Sequence, residues 1–280
     1  MANPIIQVKD VSYCYKENGP MCVNKMNIEI QEGDFMAIIG QNGAGKSTLM
    51  KLLTGLIRPV KGQIFIEGED IAKVPVSIIS KKLGYVLQNP DRQLFAETVR
   101  EELAFGPSNQ GIDEEEIKRR TDYILESVGI AHLADEYPPA LSKGDRAKVV
   151  IGSVLVMEPK IIILDEPTGG QDYIGRYQIM NIAKKFRQKG HTVIVVTHSM
   201  SLVAEYCDHA IVLCNGEILL QGTSKEVFSQ PEILQKTFIR PPQITELANR
   251  LKDELKIDET LLCVEEMGDR VLEHIPRKNE

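Results

Sequence analysis

The sequence predicts an α/β fold built around a mainly parallel sheet, because short β-branched runs alternate with longer helical patterns. Three of these runs, 35–39, 161–164 and 192–196, are almost entirely apolar, as expected for strands covered on both faces. Each of them leads directly into a polar segment. Since ligands of open α/β sheets bind outside the carboxyl ends of the strands, we expect the functional residues in these three segments.

The flanking elements follow in chain order. Residues 5–13 and 27–30 are expected to be antiparallel strands that precede the first buried strand, and a helical pattern at 48–54 follows it. A short strand is expected at 84–87. Near the end of the sheet region, the run 210–213 predicts a strand, and the Asn-Gly pair after it is a hairpin signal.

Helical periodicity replaces the strand pattern between about residues 89 and 157, with helices predicted at 97–105, 114–128 and 145–157. We interpret this stretch as a helical insertion within the sheet domain. The pattern becomes helical again after Gly222, where several prolines indicate a hinge followed by an appended helical segment.

The composition of the 280 residues limits the classes of function. Hydrophobic residues make up 42% and charged residues 26%, which is typical of a globular protein that can fill a core. The net charge of -7 argues against a protein that coats nucleic acid, so no nucleic-acid partner is expected. The sequence has neither a bilayer-spanning run nor a secretory signal, so the expected location is cytoplasmic and any membrane role peripheral.

A phosphate-binding loop is predicted where the first buried strand ends. The eight residues that satisfy G-x-x-x-x-G-K-[ST] are Gly40, Gln41, Asn42, Gly43, Ala44, Gly45, Lys46 and Ser47. Backbone N–H groups of such a loop point at phosphates, and the following helix adds the partial positive charge of its N-terminus. We expect Lys46 to neutralise the β- and γ-phosphates, Ser47 to bind Mg²⁺ and Thr48 to reach an inner phosphate.

Two carboxylates and a histidine end the other two buried strands. Asp165 is the expected magnesium ligand of a P-loop protein. Side chains alternate along a strand, so Glu166 is expected to face differently from Asp165 and to polarise an attacking water. A lone His198 at a strand end is more often structural than catalytic, but all three strand ends are expected to converge on one edge of the sheet.

These pieces, in this order, resemble the nucleotide-binding subunits of ABC transporters over about residues 5–228. The resemblance implies a P-loop NTPase sheet of the ABC ATPase type with an antiparallel β-subdomain. It also implies an ATPase domain at 1–228 with a helical subdomain at about 89–157, and a small helical extension at 229–280. The implied cofactors are ATP and Mg²⁺, and the implied state is a head-to-tail dimer in which each ATP lies between one subunit's P-loop and the other's signature segment.

The same resemblance implies roles for several other residues. Tyr15 corresponds to the aromatic residue that stacks on adenine, with Tyr13 as the weaker candidate. Gln88 corresponds to the glutamine that links the magnesium site to the transmembrane partner. Asp172 corresponds to the aspartate of the loop that crosses to the opposite subunit, and His198 to the switch histidine that contacts the γ-phosphate.

A narrower resemblance rests on residues 88–95, Gln-Asn-Pro-Asp-Arg-Gln-Leu-Phe, and on 102–107, Glu-Leu-Ala-Phe-Gly-Pro. These segments look like those of the ATPases of energy-coupling factor transporters, which take up cobalt, nickel or vitamins. That resemblance implies an ATP hydrolase at the cytoplasmic face of the cell membrane. Its partners would be a second ABC ATPase, an integral membrane scaffold and a substrate-binding membrane subunit, and its C-terminal extension would serve dimerisation.

The sequence departs from the family pattern at two places. The family signature is Leu-Ser-Gly-Gly-Gln, but residues 141–145 read Leu-Ser-Lys-Gly-Asp. Ser142 and Gly144 remain and are expected to reach the partner's γ-phosphate, while Ser142 with Asp145 also forms a helix capping box. Gln171 replaces the usual leucine of the Asp-loop. Because both departures lie on surfaces offered to the partner, we hypothesise a heterodimer with unequal sites.

Three alternatives remain at this stage. A soluble ABC ATPase acting on ribosomes or DNA usually carries two ATPase units or a long coiled-coil insertion, which this chain lacks. A catalytically weak regulatory ABC subunit is supported only by the altered signature. A small-molecule kinase shares the P-loop but does not predict the signature segment or the strand-end histidine.

Overall fold

The computed structural model describes residues 4–17 and 19–274. Its strands are β1 (Ile6–Tyr13), β2 (Val23–Ile30), β3 (Phe35–Gly40), β4 (Lys61–Ile66), β5 (Glu69–Asp70), β6 (Leu83–Val86), β7 (Ile161–Asp165), β8 (Thr192–Val196), β9 (His209–Cys214) and β10 (Glu217–Thr223). Its helices are α1 (Lys46–Leu53), α2 (Val76–Lys82), α3 (Val99–Asn109), α4 (Glu114–Val128), α5 (Lys143–Leu155), α6 (Tyr173–Gln188), α7 (Met200–Tyr206), α8 (Ser224–Phe228), α9 (Pro231–Gln235), α10 (Gln243–Arg250) and α11 (Val264–His274).

The larger sheet has the strand order β10-β9-β3-β8-β7-β6. Its strands from β9 to β6 run parallel, and β10 pairs with β9 in the opposite direction. Every residue of β3, β7 and β8 is buried, as their apolar runs predict. The predicted α/β class with a mainly parallel sheet is confirmed. Because β3, β8 and β7 are consecutive, their carboxyl ends lie side by side, and this adjacency positions the site.

The smaller sheet is antiparallel, with the order β2-β1-β4-β5. It confirms the two strands predicted before the first buried strand. The second of them starts four residues earlier than expected, at Val23, because register shifts against β1 and the left-handed backbone of Lys25 interrupt the alternating pattern. The sequence did not predict β4, whose first three residues are exposed and polar or glycine, so that it lacks the apolar signature of a strand.

Three helices lie between β6 and β7, close to their predicted positions. The middle one, α4, has the predicted bounds, with Asp113 capping its start and a left-handed Gly129 its end. The helix α3 begins two residues later than predicted, after a capping box formed by Thr98 and Glu101. It also runs past the expected stop at Gly106, because that glycine serves packing: a Cβ there would lie 2.5 Å from the sulfur of Met157.

The hairpin between β9 and β10 is confirmed. Asn215 has φ 50° and Gly216 has φ 83°, the positive values that a two-residue hairpin turn requires. One large core fills each face of the parallel sheet, with α3 to α7 on one side and α1 and the antiparallel sheet on the other.

The helices α10 and α11 form a small third core with buried Ala248, Ile257, Leu261 and Met267. It is joined to the rest of the chain by Lys225, whose Nζ lies 2.7 Å from the carboxylate of Glu266. None of the helices in 4–17 and 19–274 combines the length and the apolar character needed to cross a membrane.

Candidate active site

The loop between β3 and α1 lies so close to other backbone segments that two of its positions accept only glycine. Gly40 has φ 155°, and a Cβ on it would lie 2.5 Å from the carbonyl oxygen of Leu213 in β9. Gly45 has φ 104°, and a Cβ there would lie 2.6 Å from the carbonyl oxygen of Cys22. The loop is therefore held between two other backbone segments. It leads directly into α1, and the N–H groups of the first turn of this helix are available to bind an anion.

The side chain of Lys46 folds back over this loop. Its Nζ donates to the carbonyl oxygens of Gly40, at 2.6 Å, and Gln41, at 2.9 Å. Burial lowers the pKa of Lys46, while the carboxylates of Glu166 and Asp165 act in the opposite direction. The ammonium group of the loop thus faces the acidic end of β7, as the convergence of the strand ends predicts.

Asp165 is buried at the end of β7, with 7% of its surface exposed. Its Oδ2 accepts a hydrogen bond of 2.7 Å from Tyr85 Oη on the neighbouring strand β6. Burial raises the pKa of Asp165, and the hydrogen bond from Tyr85 and the charge of Lys46 oppose that rise. Sequence reasoning missed Tyr85. The available signal was a tyrosine in a short strand beside an acidic strand end, since a buried tyrosine needs a partner for its hydroxyl.

Glu166 turns toward the opposite neighbour. Its Oε1 lies 2.8 Å from Nδ1 of His198, which follows β8, and its own N–H donates to the carbonyl of Val196. The carboxylate is largely buried, whereas the imidazole is exposed. Glu166 has φ 47° and begins a tight turn closed by a hydrogen bond from the N–H of Gly169 to its carbonyl.

Tyr15 lies beside the start of α1. Its Oη is 3.3 Å from Oγ1 of the buried Thr48, and Nζ of Lys51 is 3.5 Å from the same Oη. The ring is 53% exposed and packs edge-on against the ring of Tyr13, with the centroids 5.0 Å apart. Ser47 is exposed at the first turn of α1, and Gln88 is exposed two residues after the end of β6.

The remaining predicted residues, Ser142, Gly144 and Asp172, lie in a second group of residues that contact one another and not the P-loop. Ser142 caps α5, and its Oγ accepts from the N–H of Asp145 and donates to the carboxylate of that residue at 2.7 Å. The side chain of Gln171 donates to the carbonyl of Lys143 at 3.3 Å, and its Oε1 would lie 3.2 Å from a Cβ placed on Gly144. Asp172 caps α6 by accepting from the N–H of Gly175 at 2.7 Å. The two departures from the family pattern thus touch each other within one chain.

The oxygen atoms at the site suit a hard cation. A hydroxyl on Ser47 and a carboxylate on Asp165 are the ligand types that Mg²⁺ takes together with phosphate oxygens and water. Among the residues that the structure describes, no group of three or more His, Cys, Asp or Glu side chains holds a metal by itself. The residue types present therefore fit a magnesium ion whose other ligands are phosphate oxygens and water.

Comparisons with known proteins agree with this geometry. Residues 23–169 match the family model described as ABC transporter. An energy-coupling factor transporter ATP-binding protein (EcfA2) of Caldanaerobacter subterraneus subsp. tengcongensis is 42% identical over 96% of this chain and 97% of its own length. A putative ABC transporter ATP-binding protein of the same bacterium is also 42% identical, over 92% of this chain, and the chain spans 46% of that longer protein.

A solved structure is also similar. CbiO1 from Clostridium perfringens, described as part of the ABC transporter complex CbiONQ, is 35% identical and superposes with a TM-score of 0.78 over 91% of this chain and 100% of that one. The chain belongs to the ABC transporter family of ATP-binding proteins. Within that family it belongs with the energy-coupling factor transporter ATP-binding proteins. The resemblance read from the motifs and the ABC ATPase type of the fold are both confirmed, and the kinase alternative is wrong.

Proposed function

We propose that the chain is the ATP-hydrolysing subunit of an energy-coupling factor type transporter and that it powers the uptake of a micronutrient, a vitamin or a transition-metal ion. Its similarity to an energy-coupling factor transporter ATP-binding protein and to CbiO1 supports this function. The observation that carries it is the meeting of Lys46, Asp165, Glu166 and His198 at three adjacent strand ends. The proposed location is the cytoplasmic face of the cell membrane, without a nucleic-acid partner.

We propose that the chain has the two domains implied by its resemblance to the family. The ATPase domain comprises 1–228, with its helical subdomain at about 89–157, and the extension comprises 229–280. Residues 1–3, 18 and 275–280 of these ranges lie outside the described part of the chain. The small core of α10 and α11 supports a separate C-terminal unit, whose proposed role is dimerisation.

The residues of the chain divide the work of hydrolysis between them. The N–H groups of the P-loop and Lys46 hold the β- and γ-phosphates, and Thr48 reaches an inner phosphate. Glu166 takes a proton from the attacking water, and its bond to His198 keeps the carboxylate oriented. Ser47 and Asp165 would hold Mg²⁺, which would supply positive charge beside the phosphates.

The other site residues act at the edges of the nucleotide. The exposed ring of Tyr15 stacks on the adenine, and Gln88 connects the metal side of the site to the membrane partner. Ser142 and Gly144 contact the γ-phosphate bound by the partner subunit, and Asp172 lies at the subunit boundary. These roles rest on the family pattern and on the position of each residue next to the strand ends or the start of α5 and α6.

An exposed apolar surface near Gln88 supports a membrane partner. Phe95 and Phe105 are 61% and 52% exposed, and their rings pack edge to face with the centroids 4.6 Å apart. The buried carboxylate of Glu102 holds this surface in place by accepting from the N–H groups of Phe95 and Ala96, each at 2.9 Å. A fixed pair of exposed aromatic rings indicates a binding surface.

An apolar cleft of about 310 Å³ lies nearby and is lined by Leu56, Val76, Tyr85, Gly106 and Met157 among others. Leu56 and Val76 are exposed at its rim. Gly106, which lines the cleft, directly follows Phe105 of the aromatic pair in α3. The proposed occupant of this region is a segment of the membrane scaffold.

Loss of this surface is expected to separate the chain from its membrane partners. The double variant Phe95→Ser/Phe105→Ser removes two exposed rings without touching the P-loop, so ATP binding should persist. Tagged wild-type and variant proteins are isolated from native membranes in mild detergent, and the proteins that accompany them are identified by mass spectrometry. The wild type should bring a second P-loop ATPase and two integral membrane proteins, and the double variant should recover less than about a tenth of the membrane proteins.

The matched control is Tyr123→Ser, which removes an exposed ring from α4 outside this surface. It should recover the same proteins as the wild type. Recovery of ribosomal or DNA-repair proteins in place of membrane proteins would overturn the transporter assignment in favour of a soluble ABC ATPase.

We further propose that the dimer is a heterodimer with unequal sites. Lys143 and Asp145 place opposite charges in the signature, and the ammonium of Lys143 lies against Gly170 of the Asp-loop. Gln171 joins the two segments through its bond to the carbonyl of Lys143. The signature segment that this chain contributes to the partner's ATP site is therefore altered. The ATP site built on this chain's own P-loop retains Lys46 and Glu166.

Unequal sites predict unequal effects of one substitution. With Glu166→Gln in this chain, ATP turnover of the mixed dimer should fall by about a hundredfold or more, because the better site is lost. The corresponding substitution in the partner should reduce turnover less than twofold. The measurement is steady-state phosphate release from mixed dimers that carry the substitution in one chain at a time, and equal losses would contradict the proposal.

A further inference from the structure

Tyr85 lies between the Asp165 carboxylate and the apolar cleft. Its hydroxyl donates to Oδ2 of Asp165 at 2.7 Å, and Tyr85 is also one of the residues that line the apolar cleft. Tyr85 lies on β6, where it pairs with Ile163, two residues before Asp165 on β7. Among the site residues, only Tyr85 reaches both the carboxylate and the cleft within the described part of the chain.

The hydrogen bond fixes how Asp165 presents its two oxygens. No other hydrogen bond to the Asp165 carboxylate is formed within 4–17 and 19–274. A phenol carries its proton at neutral pH and a carboxylate oxygen only accepts, so the Tyr85 hydroxyl is the donor in this hydrogen bond. With Oδ2 held by the phenol, rotation of the carboxylate is restricted and Oδ1 is left for a cation. Outer partners of this kind orient metal ligands and commonly change metal affinity by about ten- to a hundredfold when they are removed.

The ring and the hydroxyl of Tyr85 have separable tasks. The cleft is lined mainly by apolar groups such as Leu56, Val76 and Met157, and a phenylalanine would fill the same wall. The hydroxyl has its partner only on the side of Asp165. A tyrosine at this position is therefore explained by the carboxylate and not by the packing of the cleft.

We propose that Tyr85 is a positioning residue for the metal-binding carboxylate of Asp165 and that it transmits occupation of the apolar cleft to the metal site. The first half depends only on the ATP-binding site. The second half rests on the proposed function, since it requires a membrane scaffold in the cleft. A segment that enters the cleft displaces the ring, and the carboxylate bonded to the hydroxyl follows.

The first test measures metal binding without turnover. Free Mn²⁺ is titrated by electron paramagnetic resonance against the full chain with ADP, for the wild type and for Tyr85→Phe. The variant is expected to bind Mn²⁺ about tenfold more weakly, while its affinity for metal-free ADP stays within error of the wild type. The control is Tyr137→Phe, which removes an exposed hydroxyl remote from the strand ends and should change nothing.

Unchanged Mn²⁺ affinity in Tyr85→Phe would overturn the positioning role. An equal loss of Mn²⁺ and metal-free ADP binding would also overturn it, because that pattern indicates general damage to the site. Ring packing alone predicts no effect, since phenylalanine retains the ring.

The second test concerns transmission from the cleft. The concentration of Mg²⁺ that gives half-maximal ATP hydrolysis is measured for the chain alone and for the assembled transporter. Assembly should shift this concentration in the wild type and not in Tyr85→Phe. Equal shifts in both proteins, or no shift in the wild type, would overturn the transmission. Failure of the wild type to assemble with membrane proteins would instead remove the proposed function and leave the Mn²⁺ result standing.

Discussion

Substituting Glu166 by glutamine is expected to lower the rate of ATP hydrolysis by about a thousandfold while nucleotide affinity stays within about threefold. General-base catalysis contributes a factor of about 10² to 10⁴, and an amide cannot take the proton of the attacking water. Glutamine retains the size of the side chain, so the contact to His198 at 2.8 Å can be replaced by a neutral hydrogen bond. The buried pocket loses a charge and should not lose stability.

The measurement is single-turnover hydrolysis at saturating nucleotide, combined with equilibrium binding of a fluorescent ATP analogue. Glu158→Gln is a matched control, because Glu158 shares the left-handed backbone, with φ 52°, but lies after α5 in an exposed ion pair with Arg120. It should change the rate less than twofold, since exposed pairs contribute little. If Glu166→Gln retained more than about a tenth of the wild-type rate, another group would have to act as the base.

Replacement of Lys46 by methionine is expected to weaken ATP binding by at least about a hundredfold. Hydrogen bonds from a charged donor contribute about 1.5 to 3 kcal/mol each, and Lys46 is placed to contact two phosphates. Methionine keeps the apolar stem and removes the ammonium group, which otherwise donates to Gly40 and Gln41. Because burial lowers the pKa of Lys46, the folded protein holds this charge at a cost, and its removal should not lower the thermal midpoint.

Isothermal titration of ATP against the wild type, Lys46→Met and Lys118→Met tests this expectation, since Lys118 is exposed on α4. The direction of the pKa shift adds a second check. A lysine whose pKa lies below the ordinary 10.5 loses its charge earlier as the pH rises, so wild-type affinity should fall on the alkaline side and Lys46→Met affinity should not. Wild-type and Lys46→Met affinities that fell in parallel with pH would contradict this role for the ammonium group.

The parts of the fold that the sequence predicted are those with a strong local signal. The buried strands β3, β7 and β8 consist almost wholly of apolar residues, and α4 carries a cap at each end. The adjacency of their polar ends followed from the general behaviour of parallel sheets. Strand β4 was not predicted, because it begins with exposed residues and owes its structure to pairing with β1.

The residues of the candidate site likewise fall into those that the sequence predicted and those that only the structure identified. Lys46, Asp165 and Glu166 stand in motifs whose chemistry requires those residue types, so the sequence was sufficient to find them. Tyr85 and Glu102 act through contacts with Asp165 and with the N–H groups of 95 and 96. Such contacts depend on which strand lies beside which, and on where a carboxylate is buried. Neither property is expressed in the local pattern of residues.

The close packing of the P-loop backbone has a consequence for the heat-capacity change of nucleotide binding. Gly40 and Gly45 each lie so close to a carbonyl oxygen of another segment that a Cβ would not fit between them. The loop therefore has little conformational entropy to lose when a ligand binds. Binding to a preorganised loop avoids the entropy cost of ordering it. ATP should therefore bind the P-loop with a small heat-capacity change. A large change would have to arise from burial of further surface, as expected if the proposed dimer closes around the nucleotide.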